Sequence, residues 1–285
     1  PKPSSAASDV YKRQTLNNKS EQKMTNVVES DEQIMERLRE RFEILEDMTK
    51  AVKGGKVRAM VVSGAPGVGK SFGVEKVLRN HDVFANIAND NSLKRYEVIK
   101  GAISPLGLYS KLYNYRGDKN IVVFDDCDNL FYDELSLNLL KAALDTSEKR
   151  SLHWNADSYK LKDEQVPNSF EFNGGIVFIT NVDFEHIRSK KLRDHLNALQ
   201  SRCHYLDLTI HNDRERLLRI KQIVNDGMLD NHKLSAEVKT DVVDHIINNK
   251  SKLRELSLRT VIKCADLAVA MPDKWKRVSE LTLMK

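Results

Sequence analysis

The chain has 285 residues, of which 40% are hydrophobic and 31% are charged, and its formal net charge is +5. This length and composition predict a water-soluble globular protein of one or two domains with a hydrophobic core. The longest apolar runs, such as residues 175–180, are far too short to span a bilayer, so we expect no membrane partner. The mild positive charge permits nucleic acid as a partner but does not argue for it.

The cysteine and histidine content bears on the cellular compartment and on metal binding. Cys127, Cys203 and Cys264 are odd in number and far apart, so they fit neither a disulfide framework nor a zinc site. The eight histidines show no spacing typical of metal ligands. No apolar segment follows a basic start, as it would in a secretory signal. These features predict a cytoplasmic protein in a reducing environment.

The first residues differ in composition from the rest of the chain. Residues 1–23 are polar, rich in Ser, Lys and Asn, and without periodicity, which predicts a disordered or non-native leader. Residues 4–14 also resemble translated sequencing-adapter read-through, and Met24 is the expected natural start. The predicted fold therefore begins at residue 24.

The first predicted elements are a helix, a strand and a glycine-rich loop. Ser30 is placed to cap a helix that Gly54 ends, with apolar residues at helical spacing between them. Residues 57–63 predict a short strand. The loop 64–71 follows it, and a helix is predicted from Ser71 to Arg79.

Strands and helices then alternate. Further strands are predicted over residues 95–104, 120–126, 174–181 and 202–210, and further helices over residues 105–117, 133–149 and 191–200. After residue 210 the pattern predicts helices alone, over residues 212–228, 235–249, 257–271 and 272–284, the last opened by a proline in its first turn. The alternation predicts an α/β fold with a doubly wound parallel sheet over residues 24–210, followed by an all-α domain over residues 211–285.

Residues 64–71, GAPGVGKS, fit the pattern G-x-x-x-x-G-K-[ST] without a mismatch, between a predicted buried strand and a predicted helix. Glycines allow successive backbone N–H groups to surround phosphates, and the helix adds the positive end of its dipole. Lys70 is expected to bind the β- and γ-phosphates, and the Ser71 hydroxyl to ligate Mg²⁺. The alternative is an ordinary Gly-Pro turn. The predicted ligand is a nucleoside triphosphate with Mg²⁺, and the predicted contacts are Gly64, Ala65, Pro66, Gly67, Val68, Gly69, Lys70, Ser71 and Phe72.

Two carboxylates end the apolar strand at residues 120–126. Asp125 is expected to hold Mg²⁺, directly or through water, and Asp126 to polarise the attacking water. The alternative is that both acids cap the next helix. Asp128 is a weaker candidate for the same role.

Taken together, these residues resemble an AAA+ ATPase over most of residues 32–272. The resemblance rests on five segments in the expected order: GAPGVGKS, IVVFDD, IVFITN, LQSRCHYLDL and LSLRTVIKCADLA. It implies that the all-α region is a lid domain and that subunits assemble into a ring or spiral of about six, with ATP bound at subunit interfaces. The string SRC is similar to that of clamp-loader subunits.

The resemblance also implies roles for polar residues downstream. Asn181 corresponds to sensor 1, which helps to position the hydrolytic water; the alternative is a strand-end turn residue. Arg202 corresponds to the arginine finger, which acts in the neighbouring subunit's site, with Arg193 as the second candidate. Arg259 corresponds to sensor 2, a lid arginine at the γ-phosphate, and Arg254 competes with it.

The sequence departs from the family at Asp126, where the family usually has Glu. The shorter carboxylate could slow hydrolysis, but activity is still expected, because the geometry can adjust around one methylene. Residues 148–175 are long for a connection, and two short β-like runs predict a hairpin that either faces a central pore or makes no substrate contact. There, His153 and Trp154 are candidates to stack on a base, although packing is the commoner role. The loop at residues 101–107 lacks the aromatic residue of protein unfoldases.

Three functions follow from this resemblance. The first is a DNA-replication-linked motor or loader in a bacterial or phage-infected cell, with DNA or a replication protein as partner. The second is a protein-remodelling chaperone. The third is an ATP-controlled switch that hydrolyses slowly. A small-molecule kinase ranks fourth, because an arginine finger and a lid would then have no purpose.

Overall fold

The computed structural model describes residues 29–90, 93–182, 184, 187 and 189–285. The expected leader at residues 1–23 and the expected start at Met24 lie outside the described residues. The strands are β1 Ala59–Ser63, β2 Tyr96–Lys100, β3 Ile121–Asp125, β4 Ser151–His153, β5 Ser169–Glu171, β6 Gly175–Thr180 and β7 His204–Asp207.

Helices surround and follow these strands. In the first part of the chain they are α1 Asp31–Lys53, α2 Lys70–Leu78, α3 Val83–Ala88, α4 Pro105–Asn114, α5 Asn129–Tyr132, α6 Glu134–Ala143, α7 Tyr159–Asp163 and α8 Lys190–Gln200. The last four are α9 Asp213–Asn225, α10 Ala236–Asn248, α11 Leu258–Ala270 and α12 Trp275–Leu283. Short 3₁₀ turns lie at Arg79–His81 and Asp230–His232.

The central sheet has five parallel strands in the order β2-β3-β6-β1-β7. Every residue of β1, β3 and β6 is buried, which explains their unbroken apolar sequences. Ser63 of β1 pairs with Thr180 of β6, and Asp125 of β3 pairs with Ile179 of β6. The ends of three strands therefore lie side by side at one edge of the sheet. The predicted α/β fold is confirmed.

Helix α1 covers one face of the sheet. Ser30 accepts from the Gln33 backbone N–H, and the Gln33 side chain accepts from the Ser30 N–H, so a capping box opens the helix as predicted. Its apolar residues Leu38, Phe42 and Leu45 are buried in one core with β1 and β6. A second core on the other face includes α4, α6 and α8.

Helices α9 to α12 form a third core that includes Val261, Cys264 and Trp275. This helical region touches the α/β part closely: the Leu258 N–H donates to Gly67 O at 3.0 Å, and Gln222 Nε2 donates to Met35 O at 2.6 Å. This helical region is thus in hydrogen-bond contact with the glycine-rich loop. Within the described part of the chain, no helix is both long and apolar enough to cross a membrane.

Several helix boundaries differ from the sequence prediction; the helix predicted over residues 133–149, for example, ends at Ala143. Helix α4 ends at Asn114, before the expected stop at Gly117, since Tyr115 leaves the helical conformation with a φ of −107° and a ψ of 25°. The helix predicted from residue 133 is preceded by the separate helix α5, and Asp133 caps α6 between them. Pro272 lies ahead of α12, which begins at Trp275, rather than in its first turn.

Strands β4 and β5 pair antiparallel, so the hairpin predicted in residues 148–175 is present, with α7 between its strands. Arg150 is buried at its base, where Nη1 donates to Ala143 O at 3.0 Å and Nη2 to Gly174 O at 3.3 Å. Trp154 packs on Tyr109 with 5.6 Å between the ring centroids. This contact agrees with the packing role rather than with stacking on a base. Whether the hairpin faces a pore stays a prediction.

Candidate functional site

A cavity of about 460 Å³ opens at the carboxyl edge of the sheet, between the glycine-rich loop, the ends of β3 and β6, and the start of α11. This is the edge at which ligands bind in open parallel sheets. Of the loop residues predicted to bind nucleotide, those in the cavity wall are Pro66, Gly67, Gly69, Lys70, Ser71 and Phe72. Four site residues predicted further along the chain also line the cavity: Asp125, Asp126, Asn181 and Arg259.

The loop has a backbone that only glycine adopts readily. Gly64, Gly67 and Gly69 have φ angles of 151°, 71° and 102°. A Cβ on Gly67 would lie 2.7 Å from the Ser257 Cβ, and one on Gly64 would lie 2.9 Å from the Leu208 backbone. Helix α2 begins directly after Gly69, and no side chain caps it. This combination fits an anion-binding loop at a helix N-terminus.

Lys70 is buried at the base of the loop. Its Nζ donates to Gly64 O at 2.6 Å, to Ala65 O at 3.0 Å and to Asn181 Oδ1 at 2.7 Å. Burial lowers the pKa of Lys70 to about 8, although the carboxylates of Asp126 and Asp125 act in the opposite direction. The ammonium is therefore fixed in position, and an anion in the cavity would stabilise its charge.

Ser71 and Asp125 meet at the other side of the loop. The Ser71 hydroxyl donates to Asp125 Oδ1 at 3.0 Å, and Asp125 is buried. A hydroxyl and a carboxylate are ligands that suit Mg²⁺. Among the described residues no group of three or more His, Cys, Asp or Glu side chains could hold a metal ion.

Asp126 follows β3 with a φ of 54°, which turns the chain out of the sheet. Its Oδ1 accepts from Asn181 Nδ2 at 2.8 Å, so Asn181 joins Asp126 to Lys70. Asp128 has a different environment, because its Oδ1 accepts from the Thr180 hydroxyl at 2.6 Å. Burial raises the pKa of Asp128, against that hydrogen bond. Asp126 rather than Asp128 thus lines the cavity.

The two arginines predicted as candidates for sensor 2, Arg254 and Arg259, lie in different places. Arg259 is in the cavity wall, on the first turn of α11. Arg254 donates its Nε to Met284 O at 2.9 Å and so binds the C-terminal end of the chain. Of these two arginines, Arg259 lines the cavity, and the assignment of its role stays a prediction.

Arg202 lies away from the cavity of its own chain. His204, at the start of β7, pairs with Met60 of β1, so Arg202 lies near the amino edge of the sheet. About six residues of extended strand, or roughly 20 Å, separate that level from the glycine-rich loop. Arg202 Nη1 donates to Ala198 O at 2.6 Å, and Arg193 is exposed on α8. The chain does not bring either arginine to its own site.

The sequence prediction missed several residues of the cavity. Lys100, the last residue of β2, and the lid residues Ile223, Met228 and Ile262 lie in its wall. Lys100 ends a strand at the same edge as Asp125, its partner in the pairing of β2 with β3. The order of the strands in the sheet indicates that Lys100 belongs to the site, whereas no sequence motif includes this residue.

Comparisons with known proteins give the following similarities. No family model matches the chain. Among solved structures, the Thermotoga maritima RuvB Holliday junction branch migration motor is similar at 13% sequence identity and a TM-score of 0.47, covering 86% of this chain and 68% of that one. Domain III of the Thermotoga maritima replication initiation protein DnaA is similar at 14% identity and a TM-score of 0.46, covering 86% of this chain and 91% of that one.

A similarity in sequence is much stronger. The uncharacterized 36.7 kDa protein in the nrdC-mobD intergenic region of Enterobacteria phage T4 is 37% identical to this chain over 260 residues. The match covers 90% of this chain and 78% of the T4 protein. The chain belongs to the same family as this T4 protein.

Proposed function

We propose that the chain is an AAA+ ATPase that binds Mg-ATP in the cavity at the carboxyl edge of the sheet and hydrolyses it. One observation carries the proposal: a single hydrogen-bonded chain joins Lys70, Asn181 and Asp126 in that cavity. These residues come from the loop after β1 and from the ends of β6 and β3. The same cavity contains the pair Ser71 and Asp125.

Nucleotide binding is supported by the size and the charge of the cavity. Its volume of about 460 Å³ is within the range of small-molecule sites. Gly67 and Gly69 give the loop the backbone needed to surround phosphates, and Lys70 adds a positive charge at its base. Arg259 adds a second positive charge from the lid. Ile223, Met228 and Ile262 give the lid side of the cavity an apolar surface that suits a base.

Ser71 and Asp125 are the residues that would hold Mg²⁺. When bound there, the ion neutralises phosphate charge and orients the phosphates. The Ser71 hydroxyl oxygen and Asp125 Oδ1 lie 3.0 Å apart, so one ion could contact both. The chain therefore has the minimum protein ligand set for a phosphate-bound Mg²⁺ ion.

Hydrolysis requires a base for the attacking water, and we assign that role to Asp126. Its carboxylate lines the cavity, and Asn181 Nδ2 holds one of its oxygens at 2.8 Å. The free oxygen would accept the water proton. Asp is one methylene shorter than the Glu usual in the family, so we expect slow turnover.

We propose that the complete catalytic site needs a second subunit. Arg202 lies near the opposite edge of the sheet from its own cavity, where a neighbouring subunit could receive it. An arginine acting from a neighbour neutralises charge in the transition state of phosphoryl transfer. The expected assembly is a ring or spiral of about six subunits, by resemblance to the family.

The macromolecule that the ATPase acts on is proposed to be DNA or a DNA-bound replication protein. The clamp-loader-like string at Arg202 supports this proposal, and the net charge of +5 is compatible with it. A protein-remodelling chaperone is the second candidate, but the loop at residues 101–107 lacks the aromatic residue that grips polypeptide.

Steady-state ATP hydrolysis tests the proposal. The full chain is assayed with and without single-stranded and double-stranded DNA, beside Lys70→Ala and Arg202→Ala. We expect both variants to lose turnover and DNA to raise the wild-type rate several-fold. Stimulation by unfolded polypeptide instead would select the chaperone. ATP binding without measurable turnover would select the slow switch.

A further inference from the structure

Lys100 is a charged residue in the cavity to which the motifs assign no role. It is the last residue of β2, and its Nζ lies 2.9 Å from Glu75 Oε1 and 3.4 Å from Asp125 Oδ2. Its side chain is 61% exposed, so it can move without unpacking a core. Glu75 belongs to α2, one turn after Ser71. Lys100 thus connects the end of β2 with Glu75 of α2 and with the Asp125 carboxylate.

Both oxygens of Asp125 have a partner in this arrangement. Oδ1 accepts from the Ser71 hydroxyl, and Oδ2 faces the Lys100 ammonium. A buried carboxylate requires such compensation, because burial without it disfavours the charged form. A divalent ion that binds Asp125 must either displace one of these partners or tolerate a cation close by.

We propose that Lys100 is a positioning residue that competes with Mg²⁺ for Asp125 and thereby sets how much Mg²⁺ the site needs. The inference rests on the proposed function, since it concerns the same nucleotide site. Without metal, Lys100 pairs with one oxygen of the carboxylate while Ser71 donates to the other. When metal binds Asp125, the ammonium withdraws toward Glu75.

Glu75 gives the displaced Lys100 ammonium a second carboxylate partner. Because Lys100 already contacts Glu75 at 2.9 Å, the displaced ammonium keeps a carboxylate partner and does not become isolated. The exposure of Lys100 also means that the competition is screened by water. An exposed ion pair contributes about 0.2–1 kcal/mol, so removing the ammonium should lower the Mg²⁺ requirement by up to about fivefold.

Lys100→Met tests this, with Lys111→Met as the matched control. Lys111 also contributes to an ion pair with β2, since its Nζ lies 2.7 Å from Glu97 Oε1, but it is placed on α4 away from Asp125. Both variants remove one positive charge. Lys100→Arg keeps the charge, and thermal melting of each variant checks that it folds.

The measurement is the binding of a fluorescent, non-hydrolysable ATP analogue to the full chain as Mg²⁺ is titrated. We expect the Mg²⁺ midpoint of Lys100→Met to lie about two- to fivefold below that of the wild type, and the midpoints of Lys111→Met and Lys100→Arg to stay close to it.

Two kinds of failure are distinguishable. If the wild type binds no analogue at any Mg²⁺ concentration, the proposed function is wrong and this inference with it. If the wild type binds the analogue but the Lys100→Met midpoint is unchanged, rises, or moves no further than that of Lys111→Met, the competition alone is refuted.

Discussion

Asn181 is the residue whose replacement should separate nucleotide binding from hydrolysis. Its Oδ1 accepts from Lys70 at 2.7 Å, and its Nδ2 donates to Asp126 at 2.8 Å. Asn181→Ala removes both bonds. Lys70 keeps the carbonyls of Gly64 and Ala65, so its position should change little, whereas Asp126 loses the donor that orients it.

The size of the effect follows from these contacts. A hydrogen bond to a charged group contributes about 1.5–3 kcal/mol, and positioning of the base acts mainly in the transition state. A loss of about 2–3 kcal/mol lowers kcat by about 30- to 150-fold. The dissociation constant of ATP should change by less than about threefold, because two of the three Lys70 contacts remain.

Asn181→Asp shows which of the two bonds matters. It retains an oxygen for Lys70 but replaces the donor to Asp126 with a second carboxylate. Repulsion between the two carboxylates should move Asp126 from its position, so this variant should be at least as slow as Asn181→Ala. The assay is phosphate release at saturating ATP, beside equilibrium binding of ATP. A kcat within about threefold of wild type in both variants would refute the assigned role of Asn181.

Two further predictions concern the loop and its lysine. Gly67→Ala should weaken ATP binding about tenfold or more, since the added Cβ would lie 2.7 Å from the Ser257 Cβ at a φ of 71°. Gly101→Ala, at a φ of 87° with no atom within 4 Å, is the control, and equal losses by calorimetry would contradict the steric explanation. ATP affinity should fall as the pH rises above about 8, because the pKa of Lys70 is lowered by burial to about 8 and only its charged form attracts phosphate. A Lys70→Arg variant stays charged and should bind with a flat pH profile; a parallel fall in both proteins would contradict this.

Much of the site could be predicted from sequence because its chemistry is local. The phosphate loop needs glycine, lysine and serine in consecutive positions, so residues 64–71 carry a complete signal. The acids after β3 and the amide after β6 were also predictable, since parallel strands end at one edge of the sheet. Their mutual contacts were not, because they depend on β6 lying between β1 and β3.

Other features depend on contacts between distant parts of the chain. Lys100 reaches Asp125 only because β2 pairs with β3, and a lysine at the end of a strand carries no motif. The choice between Arg254 and Arg259 required the position of the chain's C-terminal residues. The helix α7 within the hairpin is one turn long, too short for periodicity to indicate it. The role of Arg202 remains a prediction, because it concerns a second subunit.

The most direct test of the central claim is a comparison of the wild type with Asp126→Asn, in which ATP binding and phosphate release are measured on the same preparations. Asparagine has nearly the same shape as aspartate but cannot take the proton of the attacking water. We expect unchanged ATP binding and a turnover lower by about 100-fold or more. Wild-type turnover in Asp126→Asn, or a wild type that does not bind ATP, would contradict the proposed ATPase activity with Asp126 as its base.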